Sequence, residues 1–332
     1  MAVEGGAGLN VSGVLFGKGV FPNVQALIGR TPVVEITAFP LPRGVRLFAK
    51  LESFNPGGSV KDRLGLALIE AGEKSGLLRP GGTIVEPTAG NTGIGLAVAA
   101  AGRGYRLICV VPEKFSWEKQ MLMQALGVEI VHTPSELGMQ GAIERARALA
   151  EEIPGAYMPD QFSNPANPEI HYRTTGPEIW LQLEGRVHVF VAGVGSGGTF
   201  MGCARFLKEQ NPNIRTVVVE PEGSILGGGP AGPHRTEGIG VEFVPPFLDF
   251  AYVDRVHTVR DEDAFHMVAE LARREGLLVG SSSGAAFYAA LKEAEAAPPG
   301  TNIVTIFPDS SERYLTTRIY ETTVACRRRE DP

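Results

Sequence analysis

Short β-branched, apolar runs alternate along this chain with stretches of helical periodicity, and no other feature constrains its fold as much. Strands are predicted at 47–51, 83–86, 106–111, 129–132, 187–192, 216–220 and 302–307. Helices are predicted between them at 59–74, 91–102, 117–126, 138–151, 172–182, 199–209, 261–275 and 284–295, with Ser59 and Asn91 as N-caps. Strands that alternate with helices form a mostly parallel sheet covered by those helices. The Pro- and Asn-rich segment 153–168 interrupts the pattern and reads as a boundary between two α/β lobes. A second irregular stretch, 221–246, holds seven glycines and five prolines. A loop that long in a compact domain usually serves a function or moves.

With 332 residues, 43% of them hydrophobic, the chain can bury a full core without metals or disulfides. A net charge of -6, spread without long runs of one sign, argues against nucleic acid or an anionic membrane surface as partner. Small molecules are the expected ligands. Cys109, Cys203 and Cys326 have no metal-hook or redox spacing, which points to a reduced, cytoplasmic setting, and Cys109 reads as a small core hydrophobe. The histidines at 132, 171, 188, 234, 257 and 266 lack paired-ligand spacing, so no metal site is expected and surface or packing roles are assigned to them. The glycine-rich first twenty residues do not read as an export signal, and no run is long enough to span a membrane.

Four short motifs are candidates for chemistry, although PTAGNTG and GSSSGAA, each taken alone, also read as capped helix starts. GVGSGGT (193–199) follows an apolar strand, opens a helix and fits GxGxxG through Gly193, Gly195 and Gly198. Backbone N–H groups at such a helix start meet a phosphate dianion with no side chain in the way. The turn reports phosphate without saying which one. Glu220, 22 residues beyond Gly198, stands where a ribose-binding acid would stand, so a dinucleotide-dependent oxidoreductase is a rival reading. Lys61 in NPGGSVKDR (55–63) sits in the first turn of a helix behind two glycines, the rigid setting a Schiff-base lysine needs. PTAGNTG (87–93) leaves a strand and enters a helix with Asn91 at its mouth, offering backbone donors for a carboxylate and an amide for a ring oxygen. GSSSGAA (280–286) again places hydroxyls at a helix start. Asp309, just past the last strand, is expected either to position Ser282 or to cap the following helix. Gly238, in the long loop, is a further candidate.

Together these runs resemble the cysteine synthase and cystathionine β-synthase family of fold type II pyridoxal phosphate enzymes, from IGRTP (28–32) to PDSSERYLT (308–316). The resemblance implies a tryptophan synthase β-like α/β fold of two three-layer αβα lobes with mostly parallel sheets. Residues 45–157 would form a smaller, mobile lobe and 8–44 with 158–325 a larger one, the cofactor lying between. It implies that Lys61 carries pyridoxal 5'-phosphate and acts as the catalytic base, that Asn91 bonds the ring hydroxyl and that Ser282 faces the ring nitrogen. Gly195, Ser196, Gly197, Gly198 and Thr199 would hold the phosphate, with Asp309 also at the cofactor. Thr88, Ala89, Gly90, Asn91 and Thr92 would grip the substrate carboxylate, aided by Gln161 in DQFSNPANP (160–168) and by Gly238. Many family members have serine where this chain has Ala89, which removes one hydroxyl.

PTAGNTGIG, PEKFSWEKQ (112–120), VEPEGSILGGG (219–229) and FPDSSERYLT (307–316) look most like the bacterial subgroup joining O-acetylserine to homocysteine. Serine as donor and sulfide as acceptor are the alternatives, and a catalytically silent member that binds a partner such as serine acetyltransferase is a third function. A homodimer without the regulatory tail of some relatives is expected by the same resemblance.

Overall fold

The computed structural model describes residues 20–320 apart from 89, 114 and 115, and two sheets organise them. The larger contains β1 (Val33–Ile36), β2 (Arg46–Leu51), β6 (Val189–Gly193), β7 (Arg215–Pro221), β8 (Arg255–Val259) and β9 (Asn302–Phe307), in the order β1-β2-β9-β6-β7-β8. All its pairs are parallel except β1 with β2 at one edge. The smaller sheet is parallel, with β3 (Thr83–Pro87), β4 (Arg106–Pro112) and β5 (Glu129–Thr133) in that order.

The central strands are mostly apolar because helices cover both of their faces, with Lys50, Thr216, Glu220 and Thr305 among the buried exceptions. In the larger sheet one face packs on α8 (Asp261–Glu275) and α9 (Ser281–Glu295). The other packs on α6 (Gly176–Gln182) and α7 (Gly198–Gln210). In the smaller sheet α1 (Lys61–Ser75), α2 (Asn91–Ala100) and α3 (Trp117–Ala125) cover one face, and α4 (Gly138–Glu152) the other. The fold is the expected pair of three-layer α/β units.

The predicted strands all form, within about two residues at either end. Two strands were not anticipated. β1 is a four-residue edge strand, and β8 mixes charge into a short run. β2, assigned by sequence to the smaller lobe starting at 45, pairs along its whole length with β9 of the larger sheet. Its alternate residues Leu47, Ala49 and Leu51 belong to that sheet's core.

The helix predicted at 172–182 begins earlier, at α5 (Ala166–Ile170), and passes through a π-helical turn, His171–Thr175, into α6. Pro165 and Pro168 fall at and just inside its start, where proline costs no hydrogen bond. α9 opens at Ser281, three residues before the predicted start, which puts Ser282 in its first turn. The expected N-caps also differ: Val60 and Gly90 hold those positions, without side-chain capping bonds. Ser59 Oγ does accept from the Lys61 N–H at 3.2 Å.

α1 and α2 touch backbone to backbone. A Cβ on Gly65 would lie 2.3 Å from the Gly95 carbonyl carbon, and one on Gly95 would lie 2.2 Å from the Lys61 carbonyl oxygen. Only glycine permits this approach, and it sets the helix that starts at Lys61 directly against the helix that starts at Asn91.

Candidate active site

Lys61 begins α1 at the rim of a cleft between the two sheets. The Val60 N–H donates to the Pro308 carbonyl at 2.9 Å, and Ser59 bridges to Asp309, so the lysine loop is tied to the segment after β9. Just behind Lys61, Arg63 is buried in an ion cluster, paired with Glu52 at 2.7 Å and with Glu178 at 2.7 Å. Lys50 joins through Glu178 at 2.7 Å. These bonds anchor the first turn of α1 against the end of β2 and against α6. Burial pushes the Lys61 ammonium down to about 8, opposed by the nearby Glu86 carboxylate.

The glycine turn faces Lys61 across the cleft. α7 starts after Gly197, whose left-handed backbone (φ 86°) suits only glycine, and no side chain caps the first-turn N–H groups. Side chains could not fit here. A Cβ on Gly195 would come within 2.7 Å of the Gly238 carbonyl oxygen, and one on Gly198 within 1.9 Å of Asn167 Oδ1. The result is a concave set of backbone donors at a helix N-terminus, the arrangement that binds phosphate.

The cleft is concave and open to solvent on one side, and polar side chains converge on it with backbone groups of the glycine turn. Lys61, Asn91, Gly195, Ser196, Gly197, Thr199, Gly238, Ser282 and Asp309 line it, so nine of the residues singled out by sequence converge on one space. Gly198 lies immediately behind its neighbours at the start of α7. Thr88, Gly90, Thr92 and Gln161 are not in that wall but gather beside Asn91. The Gly90 N–H donates to Thr88 Oγ1 at 3.3 Å, and the Thr92 hydroxyl to Gln161 Oε1 at 2.8 Å. Ala89 lies outside the described residues.

The Asp309 side chain lines the cleft but neither hydrogen-bonds Ser282 nor caps the turn that follows. Its Oδ2 accepts from Asn91 Nδ2 at 2.6 Å and from the Tyr314 hydroxyl. Its Oδ1 is buried without a partner.

The sequence reading passed over several buried polar residues that hold the site. Glu86 accepts the backbone N–H groups of Asp160 at 3.0 Å and Gln161 at 3.2 Å, fixing the Gln161 loop against β3. Burial pushes its carboxyl up to about 8, against those donors. Asn167 Nδ2 donates to the Gln161 carbonyl at 2.8 Å and to Ser196 Oγ at 2.9 Å, joining the two loops. His171 is more than packing: its ring nitrogens meet Thr175 Oγ1 at 2.8 Å and Thr199 Oγ1 at 3.1 Å. Burial lowers its pKa to about 3, so it is neutral. Lys119 reaches over the Tyr314 ring to Glu237, 2.7 Å away, beside Gly238 and Gly90. The Pro- and Asn-rich composition of 160–168 and the full motif PDSSERYLT were the available signals, but only Gln161 and Asp309 were taken from them.

The oxidoreductase reading fails on Glu220. Its buried carboxylate accepts from Leu226 N at 2.8 Å, Gly227 N at 2.8 Å and the Thr258 hydroxyl at 2.9 Å. That acid is fully buried and anchors the long loop, so it does not face a ribose in the cleft. Cys109 is buried in β4, where desolvation raises its thiol pKa, in keeping with a core role. Among the described residues no group of His, Cys, Asp and Glu is suited to a metal, and no helix is long and apolar enough to cross a membrane.

An uncapped glycine turn, a partly desolvated amine across from it and an unpartnered buried carboxylate oxygen fit a phosphorylated aldehyde with a polar ring. The comparisons agree. O-acetylserine dependent cystathionine beta-synthase of Bacillus subtilis strain 168 is 57% identical over 302 residues, 91% of this chain and 98% of that one. A cysteine synthase of Helicobacter pylori is 54% identical over 303 residues, 91% of this chain and 99% of its own. The crystal structure of O-acetylserine dependent cystathionine beta-synthase from Helicobacter pylori superposes with a TM-score of 0.87 at 54% identity, covering 91% of this chain and 99% of that one. The pyridoxal-phosphate dependent enzyme family matches residues 24–309, nearly all of the described chain, and the protein belongs to that family.

Proposed function

We propose that this enzyme replaces the β-substituent of O-acetyl-L-serine with homocysteine to give cystathionine. The observation that carries the reading is the convergence of Lys61, the uncapped turn at 195–199, Asn91 and Ser282 on one cleft. The backbone donors of 195–199 hold the phosphate, Asn91 the ring oxygen, and Ser282 the ring nitrogen. Bound pyridoxal phosphate supplies the electron sink that acidifies Cα and lets the β-acetate leave. Lys61, with a pKa near 8, takes the Cα proton and later returns it. The loop 88–92 and Gln161 hold the substrate carboxylate, so that the Cα proton faces Lys61.

The ion pair of Lys119 and Glu237 beside this loop favours an amino-acid thiol as acceptor. Homocysteine has a carboxylate and an ammonium to exchange with those charges, whereas sulfide has neither. Cysteine synthesis from sulfide is the second reading, favoured by the name of the Helicobacter pylori relative. A cytoplasmic homodimer, a smaller mobile lobe and an acetyltransferase partner complete the proposal.

Borohydride reduction of the yellow protein, followed by peptide mass analysis, is expected to place the cofactor on Lys61, and Lys61→Ala to abolish turnover. Comparing kcat/KM for O-acetylserine and serine, each with homocysteine and sulfide, tests the substrates. A higher value with sulfide would overturn the assignment of homocysteine.

A further inference from the structure

We infer that Arg313 is a positioning residue that fixes which end of the Asn91 carboxamide faces the cofactor ring, an inference that rests on the function proposed above. Arg313 Nη1 donates to Asn91 Oδ1 at 2.6 Å, and Asn91 Nδ2 donates to Asp309 Oδ2 at 2.6 Å. The direction of both bonds is forced, because a guanidinium can only donate and a carboxylate can only accept. A reversed amide would set N–H against guanidinium and carbonyl against carboxylate. Asp309 lines the cleft and Arg313 does not, so the amide turns its NH2 toward the cleft and its oxygen away.

A pyridoxal ring oxygen that is anionic needs a donor, and the clamp presents one. Asp309 takes one of the two amide protons, and the second is left for a ligand. Without the clamp the amide can rotate, and a carbonyl facing the ring oxygen favours the tautomer in which that oxygen is neutral. Arg313 is 7% exposed and also donates to the Gly57 carbonyl in the lysine loop, while its own carbonyl accepts from Ser116 Oγ at 3.2 Å. The Arg313 side chain thus ties Asn91 to the lysine loop, and its backbone carbonyl adds the start of α3.

The test reads the absorption of the holoenzyme, in which the anionic-oxygen form absorbs at long wavelength and the neutral-oxygen form in the near ultraviolet. Arg313→Met at full cofactor occupancy is expected to lower the ratio of the two bands about tenfold or more, the weight of one hydrogen bond to a charged acceptor. Arg313→Lys, which keeps a cationic donor, should recover part of it. In an Asn91→Leu background Arg313→Met should change the ratio no further, since the two residues act as one unit. If Arg313→Met does not accumulate as folded protein, Asp309→Asn should give the same fall, because a carboxamide accepts either orientation of Asn91. A band ratio unchanged in Arg313→Met or Asp309→Asn, or equally changed with and without Asn91, would overturn the inference. A wild-type protein with no long-wavelength band would instead overturn the functional reading, and the inference with it.

Discussion

Replacing Gly95 with alanine tests whether the contact between α1 and α2 positions Lys61, the proposed catalytic base. The added methyl would stand 2.2 Å from the Lys61 carbonyl oxygen and 2.6 Å from its carbonyl carbon. Both are backbone atoms that cannot swing aside, so the helices must separate by about 1.3 Å to reach ordinary contact. Such overpacking costs about 1–3 kcal/mol. Alanine's better helix propensity offsets about 1 kcal/mol of this, so the net loss is at most about 2 kcal/mol. For a chain of this size that is a fall in Tm of several degrees.

The effect on rate should be much larger, because the atoms pushed are those of Lys61, and a displacement of about 1 Å at a reacting group costs about 100-fold. Thermal unfolding of the holoenzyme and kcat measured well below Tm separate the two. The expected result is a small fall in Tm with a kcat reduced by about two orders of magnitude. If the variant kept wild-type Tm and turnover within about twofold, the claim that this contact places Lys61 would be wrong.

Two further predictions concern charge. Glu237→Gln should raise the KM for homocysteine about tenfold and leave that for sulfide nearly unchanged, as judged from steady-state kinetics with each thiol; an equal effect on both would remove the ion pair from acceptor recognition. Glu86 has a folded pKa of about 8, raised by burial above its ordinary 4.5. Its stabilising contribution is therefore complete below the lower value and lost as pH rises through the upper one. Glu86→Gln should gain on the wild type in Tm between about pH 5 and 8, and parallel Tm curves over that range would show that Glu86 is not protonated in the folded protein.

Much of the fold was legible because parallel strands covered on both faces are rich in apolar, β-branched residues, and β3, β4, β6, β7 and β9 announce themselves that way despite Glu86, Glu220 and Thr305. Two strands escape this rule. β1 and β8, the edges of the larger sheet, carry Glu35, Arg255 and His257 and so lack a continuous apolar run. The π-helical turn at His171–Thr175 was likewise invisible, since local propensity does not distinguish it from α-helix.

Within the site the division is sharper. Local chain geometry marks Lys61, Asn91, the turn at 195–199 and Ser282, because each stands at a helix start, where glycines, hydroxyls and amides must gather to satisfy or expose backbone groups. The positions could be picked out in the sequence and the turn reported a phosphate, whereas the roles given to Asn91 and Ser282 came from the family resemblance. The partners that hold them are remote in the chain. Asn91 is secured by Asp309 and Arg313, Ser196 by Asn167, Thr199 by His171, and Lys119 faces Glu237. Only the tertiary structure chose these pairs, and only it spent Glu220 on its own loop. A buried polar atom takes whichever complementary group the packed backbone brings within about 3 Å, and sequence distance has no part in that choice.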